Sequence, residues 1–175
     1  MTTKLQLFSA LVPPPEVVRS IEAALGTGKG PGFRWAPPVN WHITLGFFGE
    51  DDIPARAAWL RGRVTGRPAV RVRLSGADTF PKVLWLGVES DGLAELANAA
   101  GAELDERPYR PHLTLARFPA GSEPEARAIV DALSAYSSPA WTAGEVVLMK
   151  STAGVYTQVE RFALDTGSGP GQPGW

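Results

Sequence analysis

The strongest constraint on this chain is a short motif that occurs twice. Residues His42–Leu45 read His-Ile-Thr-Leu, and residues His112–Leu115 read His-Leu-Thr-Leu, 70 positions later. After each histidine, a phenylalanine stands at the sixth residue and a proline at the twelfth. The chain has no other histidine. Chance would place a threonine two residues and a leucine three residues after both histidines on the order of a few times in 100,000. Two copies are too few for a solenoid, so the repeat predicts two similar lobes that face each other.

The motif places polar groups on one side of a strand. Side chains alternate across a strand, so each histidine and the threonine two residues later share a face, while the residues between them face a core. One imidazole can accept a proton while the other donates one, and the hydroxyls can donate hydrogen bonds to an anion. Such a set suits in-line displacement at a phosphodiester. The alternative is an old duplication whose histidines only pack, but packing would favour apolar residues at these positions.

Composition excludes several other classes of site. The 175 residues include no cysteine and two histidines, which excludes disulfides, thiolate zinc sites, cysteine nucleophiles and three-histidine metal sites. We expect no bound metal and no cofactor. The net charge of −1 is unlike that of a nonspecific nucleic-acid binder, so any nucleic-acid role must rest on a local site. No apolar run is long enough to span a bilayer, and the first ten residues are unlike a signal peptide. We therefore expect a cytoplasmic monomer that does not contact membranes.

Hydrophobic periodicity predicts an α+β fold with antiparallel sheets. The predicted strands lie at Lys4–Val12, Trp41–Phe48, Val70–Leu74, Val83–Val88, His112–Ala116, Val146–Met149 and Val155–Leu164. Four helices are predicted: one from the prolines at 13–15 to Gly26, one capped by Asp51 or Asp52 and reaching Val64, one capped by Ser90 or Asp91 and reaching Leu104, and one opened by a capping box of Ser122 and Glu125 and reaching Leu133. Residues 167–175 are rich in glycine and proline, and we expect them to form a disordered tail.

At these motifs the chain resembles the two-histidine phosphoesterase superfamily, and within it the RNA 2′,3′-cyclic phosphodiesterases, historically named 2′–5′ RNA ligases. The similarity runs from about Leu5 to about Leu164. It is carried by the two motifs and by the segments Leu7–Phe8, Arg34–Trp35, Trp41–Glu50, Phe80–Pro81, Val83–Val88 and Arg110–Arg117. Gln6 departs from the pattern, since the family often has an arginine there. The resemblance implies a bilobal phosphodiesterase domain over residues 1–166: two pseudo-symmetric lobes, each an antiparallel sheet with helices packed outside, facing a central cleft.

The resemblance also implies roles for the motif residues. His42 would be the proton donor and His112 the proton acceptor, while Thr44 and Thr114 would hold the phosphate. Arg117 belongs to the family pattern and would bind an anion. In a regular strand, however, Arg117 faces away from His112, so it needs a bend to reach the cleft; the alternative is an ion pair on the outer face.

Residues beside the motifs allow two interpretations each. Trp35, Trp41 and Tyr109 can stack on bases or pack in the core. The nearby Arg34, Arg107 and Arg110 can receive flanking phosphates or remain solvated on the surface.

The resulting hypothesis is an enzyme that opens the 2′,3′-cyclic phosphate of an RNA end or a nucleotide, leaving a 2′-phosphate. Three alternatives stay open. One is 2′–5′ ligation of tRNA halves by the same chemistry. Another is hydrolysis of a cyclic phosphate on a small nucleotide such as ADP-ribose. The third is a nucleotide- or RNA-binding module without turnover, which turnover of a cyclic nucleotide would exclude.

Overall fold

The computed structural model describes residues 5–26 and 32–167, with nine strands and four α-helices in those ranges. Apart from Gly167, the predicted tail lies outside the described residues. The strands are β1 Gln6–Leu11, β2 Arg34–Trp35, β3 Ile43–Gly49, β4 Val70–Phe80, β5 Val83–Glu89, β6 His112–Arg117, β7 Trp141–Ala143, β8 Glu145–Thr152 and β9 Val155–Ala163. The helices are α1 Pro15–Leu25, α2 Ile53–Val64, α3 Leu93–Ala99 and α4 Glu123–Ala132, with short 3-10 helices at Pro38–Asn40 and Ala102–Leu104.

One antiparallel sheet runs through the whole described chain. Its strand order is β7-β4-β5-β6-β3-β1-β8-β9, and β2 adds to β6. The sheet is strongly curled into a half-barrel, so the α+β class and the antiparallel pairing were predicted correctly. The two motif strands, β3 and β6, are its central neighbours and meet at one register pair, Ile43 with Leu113. The expectation of a separate sheet in each lobe was wrong, because this pair joins the two halves.

The two faces of the sheet carry different cores. Leu7 and Leu11 of β1 are fully buried in the main core, together with residues of the helices. The alternate residues Phe8 and Ala10 belong to a smaller cluster, against which Tyr156 packs. The residue that follows each motif histidine, Ile43 or Leu113, is fully buried in the main core, as are the leucines two positions later. The predicted alternation therefore turns each histidine away from the main core.

The helix starts follow the sequence signals unevenly. Asp52 caps α2, since its Oδ2 accepts a hydrogen bond from the Ala55 amide at 2.9 Å. The capping box predicted for α4 was wrong: the Ser122 side chain makes no capping bond, and the Glu123 carboxylate accepts from the Gly121 amide. The third helix is shorter than predicted and begins after Gly92, which has a left-handed backbone. No helix in the described ranges is both long enough and apolar enough to cross a membrane.

Candidate active site

The fold brings both motif histidines to one cavity. His42 directly precedes β3 and His112 opens β6, so the histidines flank the register pair that joins the two halves of the sheet. The cavity has a volume of about 470 Å³. It is lined by Gln6, Phe8, Arg34, Trp35, Ala36, Asn40, His42, Thr44, Phe47, His112, Thr114, Ala116, Arg117, Ser151 and Tyr156. All five residues that the sequence singled out for catalysis and substrate binding are in this set.

The two imidazoles are oriented by the same type of backbone contact. His42 Nδ1 lies 2.7 Å from the carbonyl oxygen of Asn40, and His112 Nδ1 lies 2.7 Å from that of Arg110. In both cases the acceptor is two residues earlier in the chain. A carbonyl can only accept, so Nδ1 carries the proton, and in the neutral ring Nε2 keeps a free lone pair. Each Nε2 can therefore take up a proton as a base or, once protonated, deliver one as an acid.

Each histidine ring is also held by two aromatic rings. For His42, the centroid distances are 4.9 Å to Phe8 and 5.5 Å to Tyr156. For His112, they are 5.0 Å to Phe80 and 5.8 Å to Trp85. With Nδ1 tied to the backbone and two aromatic rings close to each imidazole, the direction of Nε2 has little freedom, which is the preorganisation that proton transfer needs.

The His42 imidazole is electrostatically tuned. Burial lowers the pKa of His42 below its ordinary value of 6.5, because desolvation disfavours the imidazolium. The hydrogen bond to the Asn40 carbonyl opposes this, and the charge of His112 lowers the pKa further. An anion in the cavity would stabilise the imidazolium and act in the opposite direction. An anion bound in the cavity would therefore favour protonation of His42.

Both threonines line the cavity, and the first one is fixed by two contacts. Thr44 Oγ1 lies 3.0 Å from His42 Nε2. The Tyr109 hydroxyl donates to the Thr44 carbonyl oxygen at 2.7 Å, so a residue just ahead of the second motif holds the backbone of the first. Burial raises the pKa of Tyr109 well above its ordinary value, which keeps the hydroxyl a donor. The sequence left open whether Tyr109 stacks on a base or packs in the core, and its contact with the Thr44 backbone was not foreseen.

A β-bulge brings Arg117 to the cavity. In β6 the register with β5 shifts at Leu115, and in β3 the register with β1 shifts at Leu45, the third residue after the histidine in both strands. Regular alternation would place Arg117 opposite His112, but the extra residue offsets the alternation by one. Arg117 consequently lines the same cavity as His112. This is the bend that its use in the cleft required.

The flanking residues divide between the cavity and the core. Trp41 is 2% exposed and packs in the main core, so it cannot stack on a base. Trp35 and Arg34 line the cavity. Arg107 is paired with the Asp105 carboxylate at 3.0 Å, and the Arg110 guanidinium lies 5.2 Å from the centroid of the Phe80 ring.

Several lining residues were not assigned to the site from the sequence. Phe47 is 59% exposed although apolar, and it stands five residues after His42, the position that Arg117 holds after His112. Aligning the two motifs would have indicated it. Ser151 and Tyr156 come from the β8–β9 hairpin, which carries no motif.

A second cavity of about 460 Å³ adjoins the first. It shares Thr44, Phe47 and His112 with the first cavity. Its further lining residues include Phe80 and Arg110. Within residues 5–26 and 32–167, no group of three or more His, Asp or Glu side chains is placed to hold a metal ion.

Comparison with known proteins identifies a family for this chain. The sequence profile of the 2′-5′ RNA ligase superfamily matches residues 13–154. The RNA 2′,3′-cyclic phosphodiesterase of Thermus thermophilus is 27% identical over 200 aligned positions, which cover 96% of this chain and 98% of the relative. That of Escherichia coli is 31% identical over 131 positions, covering 67% and 74%. Crystal structures of E. coli LigT complexed with NADP+ and with 3′-AMP superpose with TM-scores of 0.69 and 0.70, each at 26% identity. They cover 93% and 91% of this chain and 99% and 97% of the LigT chains.

Proposed function

The chain belongs to the 2′-5′ RNA ligase superfamily, and from this membership we propose that it is an RNA 2′,3′-cyclic phosphodiesterase. Its substrate is the 2′,3′-cyclic phosphate of an RNA end or a nucleotide, and its product is the 2′-phosphate. The observation that carries the proposal is the pair of imidazoles in one cavity, each with Nδ1 tied to a carbonyl at 2.7 Å, so that Nε2 is the nitrogen that can exchange a proton.

The proposed step is an in-line displacement at phosphorus with two proton transfers. His112 Nε2 takes a proton from a water molecule as the water oxygen forms its bond to phosphorus. The bond from phosphorus to O3′ breaks, and His42 Nε2 delivers its proton to the departing O3′. The bond to O2′ is kept, so the product carries a 2′-phosphate and a free 3′-hydroxyl. Each histidine ends with the protonation state that the other had before, and exchange with water resets the pair.

The remaining residues of the set stabilise charge. Thr44 and Thr114 donate hydrogen bonds to the phosphate oxygens, which gain charge in the transition state. Arg117 binds an anionic part of the substrate. Because the pKa of His42 is lowered in the free protein, the anionic substrate itself supplies the field that favours the acid form of His42. Binding of the anionic substrate and protonation of His42 therefore favour each other.

The test is incubation with adenosine 2′,3′-cyclic phosphate, followed by separation of the 2′- and 3′-phosphate products. We expect turnover to 2′-AMP. We also expect a near-full rate under excess chelator, since proton transfer is assigned to both histidines. Formation of 3′-AMP as the main product would contradict the assignment of O3′ as the leaving group. No turnover by a protein that still binds the nucleotide would support the binding-module alternative, and activity that required added metal would exclude the mechanism.

The second cavity supports 2′–5′ ligation as a further candidate. It opens beside the same His112, so the terminal 5′-hydroxyl of a second RNA could replace water as the nucleophile. The bond to O3′ would break as before, which leaves a 2′–5′ linkage. The test is the formation of a longer product from one RNA that ends in a cyclic phosphate and one that begins with a 5′-hydroxyl.

A further inference from the structure

The end of the active-site cavity formed by β2 and β6 is occupied by two arginines. Arg34 and Arg117 are direct register partners in the antiparallel pair of these strands, and both are exposed and line the cavity. The short strand β2 is held in place by the Ala36 amide, which donates to the carbonyl oxygen of the bulged Leu115 at 2.8 Å. The bulge that turns Arg117 toward the cavity is therefore also an anchor for the strand that carries Arg34.

These arginines differ from most arginines of the described chain. Seven others form ion pairs with aspartate or glutamate, whereas neither Arg34 nor Arg117 has a carboxylate within ion-pair distance among the described residues. No aspartate or glutamate lines this cavity in the described part of the chain. Like charges directly opposite each other across two strands are destabilising. The pair thus has an electrostatic cost that an anion would offset.

We propose that Arg34 and Arg117 together bind a second phosphate group, the 5′-phosphate of the nucleotide whose 2′,3′-cyclic phosphate is cleaved. This inference rests on the proposed function. The cyclic phosphate is assigned to the histidines and threonines. Because Leu115 is bulged, the stretch from Thr114 to Arg117 lies opposite only two steps of β5, from Trp85 to Val83, or about 7 Å at 3.3 Å per residue. The arginine backbones therefore lie farther along β6 than Thr114. Guanidinium groups suit a phosphate because they offer several donors in a planar array.

The substrate class follows from this site. A nucleoside 2′,3′-cyclic phosphate fills only the catalytic part of the cavity. An RNA end or a 5′-phosphorylated nucleotide also presents the second phosphate, as a diester or a monoester. The net charge of the chain is −1, so attraction for such an anion must come from this local cluster and not from the protein as a whole.

Binding of the two reaction products provides a test that does not depend on turnover. Calorimetry compares 2′-AMP, which carries only the catalytic phosphate, with adenosine 2′,5′-bisphosphate, which carries both. We expect the bisphosphate to bind at least about tenfold more tightly, as for added charge-assisted hydrogen bonds. In Arg34→Gln this ratio should approach one, and Arg34→Lys should retain part of it. Arg19→Gln is the matched control, since Arg19 is exposed on α1 and lies outside the cavity lining; it should keep the wild-type ratio.

A wild-type ratio near one, or a ratio that Arg34→Gln leaves unchanged, would overturn the second phosphate site. Equal loss of affinity for both products in Arg34→Gln would also overturn it, because Arg34 would then act on the catalytic phosphate. The proposed function fails separately, by absence of turnover of adenosine 2′,3′-cyclic phosphate in the wild type.

Kinetics with a 5′-monophosphorylated cyclic nucleotide and with a dinucleotide that ends in the cyclic phosphate then distinguish the two sources of the second phosphate. For whichever substrate places its phosphate on the two arginines, we expect a lower KM with little change in kcat, because the contact lies away from the reacting bonds.

Discussion

The two motif strands β3 and β6 share the backbone geometry around the histidine and differ in the residues that follow it. In both, the histidine Nδ1 donates to the carbonyl two residues earlier at 2.7 Å, and the third residue after the histidine is bulged. The fourth residue, however, is Gly46 in β3 and Ala116 in β6, and the fifth is Phe47 in one and Arg117 in the other. The shared backbone geometry orients both imidazoles for proton transfer. The differing neighbouring side chains can then give the two histidines unequal roles.

The immediate contacts of the two histidines already differ. His42 Nε2 lies 3.0 Å from Thr44 Oγ1, whereas no equivalent bond joins Thr114 to His112 in the described structure. Burial lowers the pKa of His42. On the side of β6, Arg117 adds a positive charge to the cavity. A cavity with these unequal halves can separate an acid from a base although the motifs are nearly identical.

Loss of either histidine should have the largest effect. His42→Ala and His112→Ala should each lower kcat/KM by about 10²–10⁴-fold on the natural substrate, because both proton transfers are needed. A substrate with a bridging 3′-sulfur separates the roles, since a thiolate leaves with little need for a proton. On this substrate His42→Ala should recover much of its rate and His112→Ala should not. Recovery by His112→Ala instead would reverse the assignment of acid and base.

The threonines should come next. Thr44→Val and Thr114→Val keep the β-branched shape and remove a donor to the phosphate, so each should lose about 2–4 kcal/mol of transition-state stabilisation in kcat/KM. Only Thr44→Val should also shift the pH dependence, because only Thr44 touches a histidine nitrogen. Wild-type rates in both variants would show that the hydroxyls are structural, and equal pH shifts would contradict the asymmetry.

The fourth residue after each motif histidine, Gly46 in β3 and Ala116 in β6, tests the backbone packing. A methyl group at Gly46 would lie 2.5 Å from the Ala100 carbonyl oxygen and 2.7 Å from Gly101 Cα. Gly46→Ala should therefore reduce the free energy of unfolding by about 1–3 kcal/mol, measured by urea denaturation. Ala116→Gly is the counterpart in β6 and should cost about 1 kcal/mol or less. A cost for Gly46→Ala no larger than that for Ala116→Gly would mean that the chain around Ala100 yields easily.

The link between the motifs should have a smaller effect. Tyr109→Phe keeps the ring and removes the hydroxyl that donates to the Thr44 carbonyl, which should cost about 1 kcal/mol in unfolding free energy. It should also lower kcat while Arg34-dependent binding is kept, because Thr44 loses its backbone support. The position three residues before the first histidine is Val39, which is 85% exposed. Val39→Ala is thus the control and should change neither quantity. Unchanged stability and kcat in Tyr109→Phe would show that the bond from Tyr109 to the Thr44 carbonyl does not support the site.

The subtlest difference is the acidity of His42. In the free protein, NMR titration of the His42 ring should give a pKa below 6.5, because burial disfavours the charged ring. The unfolded chain then binds this proton more tightly, so the His42 contribution to stability is present above pH 6.5 and is lost as the pH falls through the folded-state pKa. Addition of 2′-AMP should raise the pKa. A His42 pKa at or above 6.5 in the free protein would contradict the expected desolvation. A pKa that 2′-AMP leaves unchanged would separate protonation from anion binding.

Much of the site could be predicted from the sequence because it rests on local rules. Alternation along a strand is enough to put His42 and Thr44 on one face and Ile43 in the core, and the same holds for the second motif. The same local reasoning predicted that Arg117 would need a bend, and the bend is present at Leu115. It failed at Ser122, whose side chain makes no capping bond and whose amide, the group that Glu125 would have bonded, donates to the Pro119 carbonyl instead.

The rest depended on contacts between residues far apart in the chain. Tyr109 reaches Thr44 across 65 positions, Arg34 meets Arg117 through two strands that lie in different halves, and Tyr156 reaches His42 from the last hairpin. The merging of two expected sheets into one depends on a single pair, Ile43 with Leu113. Periodicity reports only which face a side chain takes on its own strand. Which strands become neighbours is decided by the packing of the whole chain. That packing also gives the two nearly identical motifs different neighbouring side chains.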